Sequence, residues 1–195
     1  MKKLSILIAA LCAGLLGGCV VTSVYPFYLD TDVVFEPSLV GSFAKASEPD
    51  EVWKFDKEGD NAYRLNLISK TDTNQTLVHA FKLKGQLFLD CYGDKSNDGA
   101  VPEPVPSHCL LRVRSLTPTL KLENINYEWI GKLVEKNPKA IRHIIVTTGE
   151  KSENKQLVLT ADTAELQKFV VKYLENTNAW EASFDLSRQQ AGAAK

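Results

Sequence analysis

From Trp53 to Leu122 the chain alternates apolar and polar residues, and that period of two restricts it to strands that each bury one face. Trp53 and Phe55 share a side against Lys54 and Asp56. Tyr63, Leu65 and Leu67 oppose Arg64 and Asn66, and Leu77, His79, Phe81 and Leu83 oppose Lys82 and Lys84. Gly85-Gln86 separates the third run from Leu87, Leu89 and Cys91 at the spacing of a tight hairpin. A loop rich in Gly, Asp, Asn and Pro follows, from Gly93 to Ser107. Beyond it Cys109, Leu111 and Val113 face away from Arg112 and Arg114, and Thr117-Pro118 turns the chain into Leu120 and Leu122. The pattern predicts antiparallel neighbours joined in sequence.

Two helices interrupt these strands. Asn126 can cap a segment that places Tyr127, Ile130, Leu133 and Val134 on one side and ends at Asn137-Pro138. Asp162-Thr163-Ala164-Glu165 has the spacing of a capping box, and Leu166, Phe169, Val170, Tyr173 and Leu174 form an apolar stripe. Ile141–Thr147, Gln156–Thr160 and Trp180–Leu186 read as further strands. The predicted class is α+β: an antiparallel meander sheet or partly closed barrel with two helices, the longer one near the C-terminus. Trp53, Phe55, Tyr63, Phe81 and Leu89 are bulky enough to fill a small barrel.

The N-terminus has a different grammar. Lys2-Lys3 precedes an apolar run, Leu4 to Leu16, that is shorter than the ~20 residues of a spanning helix, and small residues follow, as in a secretory signal peptide. Its end, Leu16-Gly17-Gly18-Cys19, resembles the lipobox of bacterial lipoproteins. That resemblance implies cleavage after Gly18, acylation of Cys19 with chains such as palmitate, and a membrane partner held through those chains. Val20, and not Asp, follows the cysteine; by the same resemblance the protein goes to the outer membrane where the source has two membranes, and otherwise faces outward from the cell envelope. The expected organisation is a signal peptide over 1–18, a lipidated N-terminus and tether over 19–38, one globular domain over 39–188 and a disordered tail over 189–195.

Removing 18 of 195 residues leaves 177, enough for one full core. Because Lys2 and Lys3 leave the 23 basic residues while all 24 acidic ones stay, the mature charge is 21 minus 24, or −3. So weak a field argues against nucleic acid, which needs a basic stripe that is not visible in this sequence. The tether, with Val24-Tyr25-Pro26-Phe27-Tyr28 and Val33-Val34-Phe35, is too aromatic for a free linker and is expected to pack on the domain.

Chemistry-bearing motifs are sparse. Cys12 leaves with the signal peptide, so Cys91 and Cys109 remain as an even pair in an oxidising compartment and are expected to form a disulfide around 17 intervening residues. Gly-x-Ser-x-Gly, His-Glu-x-x-His and phosphate-loop signatures are absent, and the reading is a non-enzyme with no cofactor. No metal is expected, because Cys91, His108 and Cys109 lack Cys-x-x-Cys spacing. His79 sits among Leu77, Phe81 and Leu83, and His143 between Ile141 and Ile145; with Tyr63 and Phe81 they are candidate pocket-lining residues. Ser107 and His108, adjacent in a loop, are not read as nucleophile and base.

Gly41-Ser42-Phe43 at the head of the meander resembles the opening of lipocalins and the wider calycin group. That group has Gly-x-Trp where this chain has Phe43, and a late arginine packed over the ring, for which Arg142 and Arg188 are both available. A longer resemblance, to uncharacterised bacterial lipoproteins, rests on Tyr25-Pro26-Phe27-Tyr28, Leu39-Val40-Gly41, Phe88-Leu89-Asp90 and Thr163-Ala164-Glu165-Leu166-Gln167. It implies an anchored domain without assigned chemistry. The expected function is a non-catalytic structural or interaction role with an envelope protein. The alternatives are lipocalin-like binding of a small apolar or amphiphilic ligand and, more remotely, an envelope hydrolase.

Overall fold

The computed structural model describes residues 21–93, 107–148 and 154–189; the signal peptide, Cys19, most of the loop after Gly93 and the tail from residue 190 onward lie outside the described residues. A short strand, β1 (Thr22–Ser23), precedes a meander of β2 (Gly41–Lys45), β3 (Glu48–Glu58), β4 (Ala62–Ile68), β5 (Thr73–Leu83), β6 (Gln86–Gly93), β7 (His108–Ser115) and β8 (Thr119–Ile125). Then come α1 (Tyr127–Lys136), β9 (His143–Thr148), β10 (Asn154–Leu159), α2 (Thr163–Lys172) and β11 (Trp180–Arg188). β11 pairs antiparallel with both β8 and β2, and β6 with β7, so eight antiparallel strands close into a barrel. Bulges at Ala44/Lys45, Val113/Ser115 and Ala182/Phe184 supply the local bending that closure requires.

The expected meander is therefore present, and the barrel is closed rather than partly closed. The helices, ten residues each, are of equal length instead of the second being longer, because α2 ends at Lys172 with Tyr173 as its cap. The β5–β6 turn is Lys84-Gly85, with φ of 50° and 82°, and not Gly85-Gln86. Two positive φ values match the twist of the flanking strands. Gln86 opens β6 and its side-chain amide donates to the Val113 carbonyl at 2.6 Å.

Inward residues include Phe43, Trp53, Phe55, Tyr63, Leu65, Val78, Ala80, Leu89, Leu111, Leu122 and Leu186. A second core lies outside the wall, where Phe81, Leu83, Phe88 and Leu110 meet Ile130 and Val134 of α1 and Leu166, Phe169 and Val170 of α2. β5 and β6 are thus apolar on both faces, and alternation alone cannot say which face is inside. For that reason Phe81, expected within the barrel, packs outside it.

Both helices start on side-chain caps: Asn126 Oδ1 accepts from the Trp129 amide at 2.9 Å and Asp162 Oδ1 from that of Glu165 at 3.0 Å. Arg142 spans the second cap, pairing with Asp162 at 2.9 Å and Glu165 at 2.8 Å. At its other end α2 is held by buried Arg112, whose guanidinium donates to the Leu174 carbonyl at 3.0 Å and lies 5.2 Å from the Trp180 ring. Burial lowers the Arg112 pKa, and the Arg114 charge adds to that effect.

One edge of β7 is shared. Its later residues pair with β8, while His108 and Cys109 pair with β1. β1 in turn runs parallel to β10, which carries β9, so three strands extend the wall beyond the barrel. The segment after β1 is anchored on the domain at several points, although Tyr25 and Leu29 are exposed. Val34 N–H donates to the Ala80 carbonyl at 2.8 Å, Phe35 stacks on Tyr63 at 5.2 Å, and Leu39 is fully buried. The Tyr63 hydroxyl donates to the Glu36 carbonyl at 3.1 Å, and burial pushes its pKa up.

Candidate functional site

On the outer face of β5, β6 and β7 a carboxylate is buried under the N-terminal segment. Asp90 is directly opposite His79 on β5 and Leu110 on β7, and none of its surface is exposed. Both of its oxygens are used. Oδ2 accepts the Phe27 amide at 2.8 Å, and Oδ1 accepts from Nδ1 of His108 at 2.6 Å. A buried carboxylate is tolerable only when its lone pairs meet donors in this way.

Aromatic rings surround the pair. His108 lies against Tyr92, its cross-strand partner, with ring centroids 4.6 Å apart. Tyr28 stacks on His79 at 4.7 Å, and its hydroxyl is 3.2 Å from His79 Nδ1. Burial, reinforced by the Asp90 and Asp30 charges, pushes the Tyr28 pKa up to about 12. Burial also holds His79 below its ordinary pKa, against the pull of Asp90. Tyr28 therefore keeps its proton, and its hydroxyl shares one hydrogen bond with His79 Nδ1 whose direction follows the tautomer of the ring.

Three segments far apart in sequence, 26–32, 90 and 163–167, converge at this point. The Phe27 amide reaches Asp90, Thr163 Oγ1 donates to the Pro26 carbonyl at 2.8 Å, and Gln167 Nε2 donates to the Phe27 carbonyl at 3.1 Å and to Asp32 at 2.7 Å. Tether, barrel wall and α2 share one joint. The Asp90–His108 pair orients an imidazole as a catalytic base would be oriented. Through Asp90 the same pair also ties β6 to β7 and to the backbone of Phe27.

The residues expected to line a pocket are not brought together. Tyr63 is inside the barrel, His79 and Phe81 are on its outer face, and His143 lies on β9 with Nδ1 2.9 Å from the Ile141 carbonyl. Sequence reasoning missed Asp90 as a site residue. The available signal was its position between outward-facing Phe88 and Tyr92 on a strand whose other face, Leu87, Leu89 and Cys91, is also apolar.

Cys91 and Cys109 are directly opposite on β6 and β7, both buried and both facing the barrel interior. Opposed antiparallel residues have Cα separations of ~4.5–5.5 Å, within the span a disulfide bridges. The structure itself closes no bridge there. Of the two late arginines, Arg188 is the one over Phe43, its guanidinium carbon 4.6 Å from the ring, while Arg142 serves the α2 cap. Arg188 also donates to the carbonyls of Val40, at 2.9 Å, and Ser38. A Cβ on Gly41, whose φ is +134°, would lie 2.4 Å from that guanidinium. Compared with protein-family models, curated proteins and solved structures, the chain matches none.

Proposed function

We propose that this chain is a lipid-anchored envelope protein whose lipocalin-like barrel has a non-catalytic structural or interaction role. The observation that carries this reading is the filled interior. Leu39, Phe55, Tyr63, Val78, Ala80, Leu89 and Leu186 are 0 % exposed, and Leu65, Leu120 and Leu122 1 %. Such residues leave almost no surface that a water molecule could touch, and the other inward residues, from Phe43 at 2 % to Leu67 at 9 %, leave little more. An eight-stranded barrel is just wide enough to be packed solid by its own side chains. That favours an outer surface as the working part over a ligand in the lumen. The stacking of Arg188 on Phe43 beside Gly41 supports the likeness to the lipocalin group.

The anchor rests on the lipobox and on Cys19, outside the described residues. Native mass spectrometry of the mature protein tests the main reading: the expected mass is the chain plus covalent acyl groups. A stoichiometric lipid retained without a covalent bond would replace it with ligand binding. Cys19→Ala is expected to leave an exported protein that is uncleaved or released from the membrane fraction. A variant still cleaved after Gly18 and firmly bound would remove the anchor.

A further inference from the structure

Ile144 and Ile145, 50 % and 56 % exposed, are the most exposed large apolar side chains among the described residues. They are consecutive on β9, so they point to opposite faces, and β9 is the last strand in the order, with one edge unpaired among the described residues. From His143 to Thr148 the strand carries no Asp, Glu, Lys or Arg. An uncharged, β-branched open edge is what soluble domains normally protect.

Its position indicates what covers it. Thr22 on β1 is level with Val158 on β10, which is level with Ile144 on β9. Two strand spacings place Ile144 about 10 Å from Thr22. Cys19 is three residues before Thr22, a reach of at most about 11 Å. An acylated Cys19 thus lies within about 20 Å of the β9 edge whatever path the chain takes.

We propose that the β9 edge is a second membrane contact, with Ile144 and Ile145 in the headgroup region of the bilayer that holds the acyl chains of Cys19. The inference rests on the anchor proposed above and adds an orientation to it. Insertion is shallow, since the unpaired backbone groups of β9 need water or lipid oxygens and hydrocarbon offers neither. A strand partner is the weaker fit: an edge roughly 20 Å long does not by itself bury the ~1,200 Å² of a stable interface.

The test uses the full acylated protein in phosphatidylethanolamine–phosphatidylglycerol vesicles, with and without brominated acyl chains that quench tryptophan on contact. Ile144→Trp and Ile145→Trp are compared with Val40→Trp, a position 36 % exposed immediately before β2. Native Trp53 and Trp180, 5 % and 7 % exposed, and Trp129 contribute the same background to each variant. The emission added at 144 and 145 is expected to be largely quenched and that added at 40 retained. Vesicle flotation and the acyl mass on the N-terminal peptide are read on the same samples. Flotation with an acylated Cys19 but no quenching at either isoleucine overturns the β9 contact alone, and a dimer by native mass spectrometry in that case assigns the edge to a second copy. A Cys19 without acyl mass overturns the anchor and this inference with it.

Discussion

Replacing Asp90 with Ala removes the acceptor shared by the Phe27 amide and His108, bonded at 2.8 and 2.6 Å. The Phe27 amide is then left fully buried without an acceptor, and the His108 ring, 12 % exposed, is left with only partial access to water. An orphaned buried donor costs about 1–3 kcal/mol, so the amide at the upper part of that range and the part-buried ring at the lower part together give about 4 kcal/mol for Asp90→Ala. That is a large share of the roughly 5–15 kcal/mol stability of a domain. With a urea m value of about 2 kcal/mol/M, the unfolding midpoint falls by about 2 M. Asp90→Asn keeps the volume and one acceptor oxygen but turns an amide NH2 toward the second donor, and is expected to lose about half as much. Limited proteolysis supplies the local readout, with new cleavage expected between Val24 and Phe35 in Asp90→Ala before global unfolding. A midpoint drop below about 0.5 M, with that segment still protected, would refute that tie.

Phe169 on α2 is 5 % exposed and packs against Trp129 and Tyr173 at 6.2 and 5.0 Å, so Phe169→Ala is expected to cost about 3–5 kcal/mol. An unchanged thermal midpoint would show that the helix does not close the second core. Cys91 and Cys109 are expected to be bridged in exported protein, contributing roughly 3 kcal/mol in the chain-entropy model; two titratable thiols in denatured, unreduced protein would refute the bridge. His79 is held below its ordinary 6.5, so between the lowered value and 6.5 the unfolded chain binds more protons than the folded one. Stability is therefore expected to decline as pH falls below about 6.5 and to level off once the folded ring is charged. His79→Gln flattens that part of the pH–denaturation curve, and an identical slope in the variant would exclude His79 as its source.

The sequence is most legible where one face of a strand is wet. On β3 and β4, Lys54, Asp56, Arg64 and Asn66 mark the outside so clearly that Trp53, Phe55, Tyr63 and Leu65 can be placed inside. On β5 and β6 this contrast disappears, because α1, α2 and the N-terminal segment cover the outer face; Phe81 is then as apolar as Val78 and alternation has no reference side. Asp90 is hidden for the same reason: its partners come from the tether and from β7, and neither is local in sequence. Closure was not legible because it depends on Arg188 reaching Phe43 across the whole chain, a pairing that no period encodes. The cysteines were legible as a pair because each falls on an apolar face, and the structure adds that they are cross-strand neighbours.

The joint at Phe27 couples location to shape. A flexible lipoprotein tether would let a domain tumble above its membrane, since a polar linker transmits no orientation. Here one residue, Val20, separates Cys19 from the first described residue, and from β1 onward the backbone is tied to β7, β10, Asp90 and α2. With the anchor proposed at Cys19, membrane attachment and the fold share the same hydrogen bonds, and the domain has few orientations open to it. The β1–β10–β9 extension is then the membrane-proximal part. On the barrel's other wall, β3 and β4 carry Lys54–Asp56 and Arg64–Glu58 pairs at 3.0 and 2.8 Å. Such exposed pairs add little stability, but with the anchor proposed above a charged face held at a fixed height would serve the proposed interaction role, because charge patterns give specificity and on-rate more than affinity.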